Sequence, residues 1–395
     1  MLNTRARRAL LILAAPLVLA ACESTPVGPD YSQMLPPGSP ALLPLGPDEP
    51  RPDFTREWTH RDRILPALDR SIEWTKKASS ARHFPIEGIS HERALQSLER
   101  FREVLTTATS AEDFDARIGE EFEVFKSAGW DGRGGGVLFT GYCTPILDGS
   151  RERTEVYKYP LYALPPDLAK DAEGAILGRK SADGATSPYP DRRTIDGSGL
   201  LAGQGLELAW LKDPFDAYIA HVNGSAVLRL PDGGELRLGY AGNNGHEYTS
   251  VRNELIRDGK LSDLEANLAT MREWAAAHPR EATEYMARNE RYVFFTPIEG
   301  NPRGSLNVEV TAERSLATDK ALFPRGAVTF VDTRIGGSRP RSGRPISRFM
   351  LDQDTGGAIR TAGRADIYLG VGPNAERLAG STKTEGQLYY LFLKT

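Results

Sequence analysis

Two aspartates flanking a glycine pair, followed by a strand-like run, constrain what this chain can fold into. The segment is Asp354-Thr-Gly-Gly-Ala-Ile-Arg360, and residues 365–369 (Ala-Asp-Ile-Tyr-Leu) follow it. Gly356 and Gly357 can adopt positive φ and admit another backbone or a sugar at close range. The alternation over 365–369 predicts a strand, from which Asp366 would project rigidly, as a catalytic acid requires. For any single aspartate, hydrogen bonding to backbone amides in a turn is the simpler explanation.

Glycine and proline are abundant, with 39 Gly and 27 Pro in 395 residues, which favours a turn-rich β architecture. The length is sufficient for two domains with full cores. The formal net charge is −4, and removal of an arginine-containing signal peptide would make it more negative. This balance argues against general nucleic-acid binding, which needs a basic face, although it leaves room for a local basic groove.

The N-terminal segment has the pattern of a signal peptide. Residues 1–8 contain three arginines, and residues 9–21 are apolar apart from Pro16. This run is too short to span a bilayer and suits the apolar region of a signal peptide. It ends in Leu-Ala-Ala-Cys22, which resembles the bacterial lipoprotein signal. An ordinary signal peptide, or a buried free cysteine, is the alternative.

The lipoprotein resemblance implies cleavage after residue 21 and acylation of Cys22, and two or three acyl chains anchor a protein stably. Glu23 stands where an aspartate often retains lipoproteins in the inner membrane. We therefore expect an anchor in the outer membrane, with the protein facing the periplasm. With Cys22 lipidated, Cys143 has no partner for an internal disulfide.

The next part of the chain is predicted to be a spacer followed by helices. Nine prolines lie between residues 26 and 52, which predicts an extended tether over residues 22–54. Three helices follow, with Pro66 in the first turn of one and Ser90 as the N-cap of the next. A further helical segment is predicted over about 261–288, capped by Ser262 and interrupted by a proline. These helices are expected to cover a β core.

Glycine-rich and aromatic segments alternate with predicted strands. Residues 132–136 (Gly-Arg-Gly-Gly-Gly) lack the Lys-Ser/Thr of a phosphate loop. The run that follows fits a strand in which Gly141 lets a ligand approach the backbone. Residues 223–226 and 239–246 combine small residues with Asn and Tyr, which suits a sugar site. Tight turns use the same residues and are the simpler interpretation. Residues 231–234 predict a hairpin turn.

Motifs for metal binding and for nucleophilic catalysis are missing from the sequence. None of the six histidines forms a His-Glu-x-x-His pair, and there is no Cys-x-x-Cys or Gly-x-Ser-x-Gly. We therefore expect neither a metal nor a cofactor. Any chemistry would rest on carboxylates.

Taken together, six segments in order resemble the membrane-bound lytic murein transglycosylase A family. Five of them are Thr140–Pro145, Leu208–Asp216, Val222–Ser225, Tyr240–His246 and Tyr292–Phe295. The sixth is the C-terminal region, which resembles the three-aspartate domain of that family, with the aspartates at Asp319, Asp354 and Asp366. The resemblance covers residues 135 to 395.

The resemblance implies a mainly β fold with covering helices and two barrels. A double-psi β-barrel would be built from residues 55–143 and 289–395. A second β-barrel would be inserted over residues 144–288, and the glycan strand would lie in the groove between the barrels. Interleaving of this kind would bring motifs from distant parts of the sequence to one groove.

The family cleaves the β-1,4 bond between N-acetylmuramic acid and N-acetylglucosamine and leaves a 1,6-anhydro ring. Hydrolases need two carboxylates, whereas here the tethered 6-hydroxyl of the sugar attacks, so one carboxyl serves as acid and then base. The resemblance places this role on Asp366, with Asp354 as its catalytic neighbour or hydrogen-bond partner and Asp319 as structural. Residues that would hold the glycan are Thr140, Gly141, Tyr142, Asn223, Gly224, Ser225, Ala241 and Gly242.

The chain departs from the family pattern at Cys143, where Tyr is common, and at Arg360-Thr361, where Lys-Gly is frequent; these changes affect loop shape and subsite preference. Two other classes of protein remain open. A glycoside hydrolase would use a second carboxylate, at Asp354 or Asp319, and a non-catalytic protein would only bind the cell wall. In each case the partner is peptidoglycan, and proteins of the cell-wall machinery are further candidates.

Overall fold

The computed structural model describes residues 28–46, 48–171, 176–263, 265–337 and 342–395. The predicted signal peptide and the lipidation site Cys22 lie outside these residues. Within the described ranges, no helix combines the length and apolar character needed to cross a bilayer.

The described residues form 17 strands and ten α-helices. The strands are β1 (Leu42–Pro44), β2 (Phe122–Ser127), β3 (Val137–Thr144), β4 (Ile146–Ser150), β5 (Tyr159–Tyr162), β6 (Leu168–Lys170), β7 (Ile176–Lys180), β8 (Thr186–Ser187), β9 (Glu207–Leu211), β10 (Ala226–Arg229), β11 (Glu235–Asn243), β12 (Val293–Pro297), β13 (Ser315–Ala317), β14 (Val328–Ile335), β15 (Arg344–Asp354), β16 (Arg364–Val371) and β17 (Lys383–Leu393). The α-helices are α1 (Thr55–Trp58), α2 (Leu65–Thr75), α3 (His91–Thr107), α4 (Ala111–Glu121), α5 (Arg192–Ser198), α6 (Pro214–Asn223), α7 (Val251–Arg257), α8 (Leu268–Ala277), α9 (Pro279–Ala287) and α10 (Pro373–Ser381).

Six strands close into the main barrel, in the order β17-β14-β15-β13-β16-β3, with β3 pairing back onto β17. The pairs β16–β3 and β13–β15 are parallel, and the remaining pairs in the ring are antiparallel. Its interior is filled by buried apolar side chains, among them Phe139, Met350 and Ile367. The barrel combines β3 with strands from the C-terminal part of the chain.

Helices α2, α3 and α4 cover one side of this barrel, as predicted. Pro66 lies in the first turn of α2, and the Ser90 hydroxyl accepts a hydrogen bond from the Arg93 amide at the start of α3. The apolar faces of these helices pack on the strands through a cluster of aromatic side chains. Phe101 of α3 lies edge-on to Phe349 of β15, with ring centroids 4.9 Å apart.

The inserted unit is built on a second six-stranded sheet, in the order β12-β11-β10-β4-β9-β5. A bridge between Ala163 and Phe295 joins the two ends of this sheet, so it curves into a second barrel. The hairpin turn predicted over 231–234 connects β10 and β11. Because β12 pairs with β11, this sheet continues past the predicted boundary at residue 288. We propose that the inserted unit ends near Pro297.

The helical segment predicted over 261–288 is two helices, α8 and α9, which meet at Pro279. The predicted cap, Ser262, instead donates its hydroxyl to the Glu265 carboxylate. Asn267 caps α8, because its side-chain oxygen accepts from two backbone amides and the Thr270 hydroxyl accepts in return from the Asn267 amide. A reciprocal pair of this kind satisfies backbone donors that a serine alone would leave free.

Residues 22–27 of the tether predicted over 22–54 lie outside the described residues, and its described part packs on the barrel. Strand β1 pairs with β2, and Ala41 is completely buried in the barrel core. Further upstream, the carbonyl of Tyr31 accepts a hydrogen bond from the Thr361 hydroxyl at 2.7 Å. Backbone pairing and apolar burial therefore hold this segment against the barrel, in place of the extended tether predicted for it.

Candidate active site

Asp366 projects from β16, a strand paired on both sides within the main barrel. It stands opposite Thr140 of β3 in a parallel register, and the Thr140 hydroxyl donates a hydrogen bond to its Oδ1. The guanidinium of Arg364 lies 3.5 Å from the same oxygen. The Asp366 side chain is 20% exposed, so it is reachable from solvent while its backbone is fixed by the sheet. This is the rigid placement that the sequence predicted.

Asp354 ends β15 and is held by three hydrogen bonds. The Tyr142 phenol donates to Oδ2 at 2.7 Å, and the amides of Ser305 and Thr355 each donate to Oδ1 at 2.8 Å. Burial raises the pKa of Asp354, although these hydrogen bonds oppose the rise. Both carboxylate oxygens are therefore occupied by the protein itself.

The two aspartates flank one residue of the barrel. Ala317 of β13 pairs with Asp354 on one side and with Asp366 on the other. Two strand spacings separate the backbones of the aspartates, or about 10 Å. Among the described residues no hydrogen bond joins the two carboxyl groups, so the direct partnership considered from the sequence is absent. Tyr142 contacts Asp354. The pKa of the Tyr142 phenol is raised mainly by burial and by Asp354, and the charge of Asp366 adds to the rise.

Asp319, the third aspartate of the motif, lies in a turn before β14. Its Oδ1 accepts from the Ala321 amide at 3.0 Å, and its carbonyl accepts from the amides of Leu322 and Phe323. Its side chain is almost completely buried. Its contacts are those of a turn-stabilising residue.

Gly141 and the residues Asn223 to Ser225 lie where the inserted unit meets β3. A Cβ on Gly141 would stand 2.9 Å from the Cα of Ala379 in α10, so the space beside this glycine is filled by a helix. The Asn223 side-chain oxygen accepts from the Cys143 amide at 3.3 Å. Gly224 ends α6 in the left-handed region, with φ of 67°, and Ser225 is buried.

Ala241 and Gly242 lie at a bulge in the pairing of β11 with β12. The Ala241 carbonyl is 3.5 Å from the ammonium of Lys170. A Cβ on Gly242 would clash with Leu164. Among the described residues no hydrogen bond joins either of them to Asp366. Nearby Tyr240 is 47% exposed.

Two family profiles match this chain, one on each unit. The MltA specific insert domain matches residues 138–296, and the 3D domain matches residues 314–392. Membrane-bound lytic murein transglycosylase A of Vibrio cholerae is 31% identical over 265 residues, which is 66% of this chain and 66% of that protein. The chain belongs to the membrane-bound lytic murein transglycosylase A family. The aligned region covers about two thirds of the relative's length.

Solved structures of the transglycosylase A family share the fold described above. The membrane-bound lytic murein transglycosylase from Agrobacterium tumefaciens superposes with a TM-score of 0.73 at 26% identity, over 89% of this chain and 98% of that one. The structure of Escherichia coli MltA with bound chitohexaose gives 0.64 at 23% identity, over 93% and 97% of the two chains. At that identity the second match speaks to the fold alone.

Two residues beside Asp366 in this transglycosylase A family member were not found from the sequence. Arg364 precedes it by two positions in β16, and alternation along a strand places both side chains on one face. Tyr248 comes from the inserted unit, where a Cβ on Gly357 would stand 3.1 Å from its Cβ. Burial raises the pKa of Tyr248, and the Asp366 charge adds to the rise. The surroundings of Asp366 therefore come from both units.

Proposed function

We propose that this protein is a lytic transglycosylase that cleaves peptidoglycan between N-acetylmuramic acid and N-acetylglucosamine and forms 1,6-anhydromuramic ends. Family membership supports the reaction class. The observation that carries the assignment is the unequal environment of the two aspartates. Asp366 is partly exposed with one oxygen in contact, whereas Asp354 has both oxygens occupied. A single available carboxyl suits a reaction that needs one acid and no second carboxylate.

The proposed reaction uses Asp366 first as an acid and then as a base. Its proton passes to the bridging oxygen as the bond from the muramic C1 breaks, and the N-acetylglucosamine end leaves with a free hydroxyl. The 6-hydroxyl of the same muramic ring then bonds to C1 and returns its proton to Asp366. No water is consumed, and the tethered nucleophile avoids the entropic cost of bringing in a second molecule.

We propose that Asp354 positions the site rather than reacting. Its contacts with Tyr142 and Ser305 tie β15 to β3 and to the loop before β13, close to where Asp366 projects. A hydrolase would need a second carboxylate free to act on water or on the sugar. The hydrogen bonds that Asp354 already accepts make it a poor candidate for that role.

We propose that the glycan runs between the two units, past Asp366. Tyr248 of the inserted unit beside Gly357 of the barrel supports this path. The chitohexaose bound to Escherichia coli MltA is an oligosaccharide, which fits a groove for a sugar chain. Of the predicted contact residues, Tyr142 and Thr140 stand nearest to the aspartates, while Asn223 and Ser225 serve the junction between the units.

The test compares purified peptidoglycan digested by the full-length protein in detergent with the same digestion by Asp366→Asn and by Asp319→Asn. The proposal expects anhydro-ended muropeptides from the parent protein and none from Asp366→Asn, since an amide cannot supply the proton. Asp319→Asn retains the same product, with its thermal midpoint lowered. Products heavier by one water would indicate a hydrolase. Binding of peptidoglycan without any product would indicate a wall-binding protein.

We further propose that Cys22 is acylated and anchors the protein to the outer membrane on its periplasmic side. The relatives named as membrane-bound support association with a membrane, and the Leu-Ala-Ala-Cys22 sequence supports the lipid. Fractionation of cells that express the parent protein or Cys22→Ser tests this assignment. The parent should sediment with outer membranes and the variant should not. If the parent protein and Cys22→Ser are distributed equally between the fractions, Cys22 does not carry the anchor.

A further inference from the structure

The two contacts of the Asp366 carboxyl fall on the same oxygen. The Thr140 hydroxyl donates to Oδ1, and Arg364 Nη2 lies 3.5 Å from Oδ1 and 3.5 Å from the Thr140 hydroxyl oxygen. Across the described ranges, no hydrogen bond to Oδ2 of Asp366 is found. One oxygen is therefore fixed by the barrel, and the other is left for substrate.

The positive charge of Arg364 is directed to this carboxyl. Its Nε is buried without a hydrogen-bond acceptor in the described part of the chain, and its ion pair there is the one with Asp366. The side chain is 24% exposed, which limits screening by solvent. A guanidinium in this setting stabilises the ionised form of a neighbouring carboxyl.

Two phenols, a lysine and Asp354 are the other titratable groups around Asp366 and Thr140. Tyr142 of β3 and Tyr248 of the inserted unit each have a raised pKa because of burial, so both phenols remain neutral. Lys383 of β17 stands opposite Thr140 in register, but its ammonium pairs with Asp263. Asp354 accepts a hydrogen bond from Tyr142 and, among the described residues, makes none with Asp366. Arg364 is therefore the fixed charge in contact with Asp366.

We infer that Thr140 and Arg364 are positioning residues that hold Oδ1 of Asp366, so that Oδ2 alone exchanges the proton with the glycan. The inference rests on the proposed transglycosylase function and deepens it. It also reassigns Thr140, whose hydroxyl serves the acid rather than the sugar.

Each proton step then has a defined path. Oδ2 carries the proton that passes to the bridging oxygen as the C1–O bond breaks. The carboxylate that results is stabilised on Oδ1 by the Thr140 hydroxyl and the Arg364 guanidinium. The 6-hydroxyl closes the anhydro ring on C1 and gives its proton back to Oδ2. The enzyme returns to its starting state, and no other reactant is required.

The experiment measures initial rates of anhydro-muropeptide release by the full-length protein across pH, at saturating and limiting peptidoglycan. Variants Thr140→Val and Arg364→Met remove the two contacts, and Arg364→Lys restores the charge. Thr329→Val and Arg344→Met are the matched controls. The first removes a buried hydroxyl of β14 that donates to the Met350 carbonyl. The second removes a guanidinium of β15 that pairs with Glu313.

The inference predicts that both contact variants lower kcat by about tenfold or more, since a weaker acid transfers its proton less readily. KM should stay within about twofold. The alkaline limb of the rate profile should move to higher pH, because removing a cation or a hydrogen-bond donor disfavours an ionised carboxylate. Arg364→Lys should return the limb towards its original position, and the controls should not move it.

An alkaline limb that stays in place in both Thr140→Val and Arg364→Met would overturn the inference, as would a loss confined to KM. Circular dichroism shows whether each variant is folded, and Thr140→Val carries the test if Arg364→Met is not. If the parent protein releases anhydro products but the alkaline limb is the same in the parent and in the variants, only the inference is refuted. A parent protein without anhydro products refutes the proposed function itself.

Discussion

Asp354 carries a charge that burial opposes and hydrogen bonds support. Burial dominates, so its pKa in the folded chain is raised above the ordinary value of 3.8. A carboxyl with a raised folded-state pKa stabilises the fold only where it is protonated, and this contribution is lost as the pH rises through the folded pKa. Ionised Asp354 therefore lowers the free energy of unfolding near neutral pH.

The residue-scale prediction concerns Asp354→Asn. The asparagine has no charge to bury and keeps an oxygen for the amides of Ser305 and Thr355. Its thermal midpoint relative to the parent should therefore increase from pH 4 to pH 7, by about 2 °C or more. Thermal unfolding followed by circular dichroism at several pH values measures this. A difference between the two proteins that does not change with pH would contradict the assignment.

At the scale of single residues, the sequence located the aspartates but not their partners. Asp354 and Asp366 stand in a recognisable motif next to a glycine pair and a strand pattern. Arg364 gains its role only because parallel pairing of β16 with β3 brings it to Thr140. Tyr248 belongs to a different unit and approaches Gly357 through tertiary packing. Neither contact has a signal in local sequence.

Strand β3 and helix α10 pack closely because of Gly141. A Cβ at this position would stand 2.9 Å from the Ala379 Cα and would also clash with the Leu369 side chain. Since backbone cannot yield as a side chain can, Gly141→Ala should lower the free energy of unfolding by about 1–3 kcal/mol.

Gly380 of α10 provides the matched control for Gly141. A Cβ there would lie 3.6 Å from Leu268 Cβ, an ordinary contact, and alanine favours a helix by up to about 1 kcal/mol. Gly380→Ala should therefore be neutral or stabilising in denaturant unfolding. Equal effects of the two substitutions would mean that the helix does not pack on Gly141 as described.

A buried charged pair joins the turn between β13 and β14 to β15. The Lys320 ammonium contacts Asp352, which also accepts from the Thr318 hydroxyl at 2.7 Å and the Tyr390 phenol at 2.8 Å. Both charged residues are buried, and burial lowers the pKa of Lys320 while Asp352 opposes that change. Each charge therefore depends on the other.

Lys320→Met should lower the free energy of unfolding by about 3–5 kcal/mol, because it leaves the Asp352 charge buried without a cation. The double variant with Asp352→Asn should recover most of that loss, since neither charge remains. Denaturant unfolding of the parent, the single variants and the double variant forms a complete cycle. Additive losses would show that the two groups do not interact.

At the scale of elements, the sequence predicts that a helix is present more easily than it predicts which residue caps the helix or which element packs against it. Pro66 and Ser90 start helices as predicted, because their capping chemistry is local. The predicted cap Ser262 is wrong, because serine and asparagine both suit an N-cap and the reciprocal bond with Thr270 selects Asn267. Gly141 was interpreted as space for a ligand, whereas its space is occupied by α10. Sequence shows that room is needed there, but not what fills it.

The two units are connected by contacts from several elements. Arg272 of α8 bridges Asp216 of the inserted unit and Glu376 of α10, at 3.0 Å each. Lys383 of β17 pairs with Asp263 at 3.1 Å. Contacts of this kind fix how the inserted unit sits against the barrel that carries the aspartates.

Truncation of the N-terminal segment shows whether that segment is part of the folded barrel domain. A chain that begins at residue 46 lacks β1 and the buried Ala41 and Leu42, so its free energy of unfolding should fall by about 2–5 kcal/mol. A chain that begins at residue 28 keeps these contacts and should match the full-length protein. Thermal unfolding compares the three. Equal midpoints for both truncations would place the segment outside the folded domain.

For the whole molecule, the resemblance to a family supplied the two-barrel plan, and the closed ring of strands confirms it. The limits of the units were less predictable. The prolines around β1 predict an extended tether, whereas β1 is a strand that pairs with β2, far along the chain. Likewise, β12 is assigned to the inserted sheet only by its pairing with β11. Pairing between distant segments is set by tertiary structure and is not encoded in local composition.

In the proposed reaction the sugar's own hydroxyl, and not water, attacks C1 beside Asp366. Digestion of purified peptidoglycan in water enriched in oxygen-18, followed by mass spectrometry of the released muropeptides, distinguishes the two nucleophiles. We expect anhydro-ended products without oxygen-18, and no products from Asp366→Asn. Products that carry one oxygen-18 at the cleaved end would contradict it, because a water molecule would then have attacked C1 and a second carboxylate would be needed.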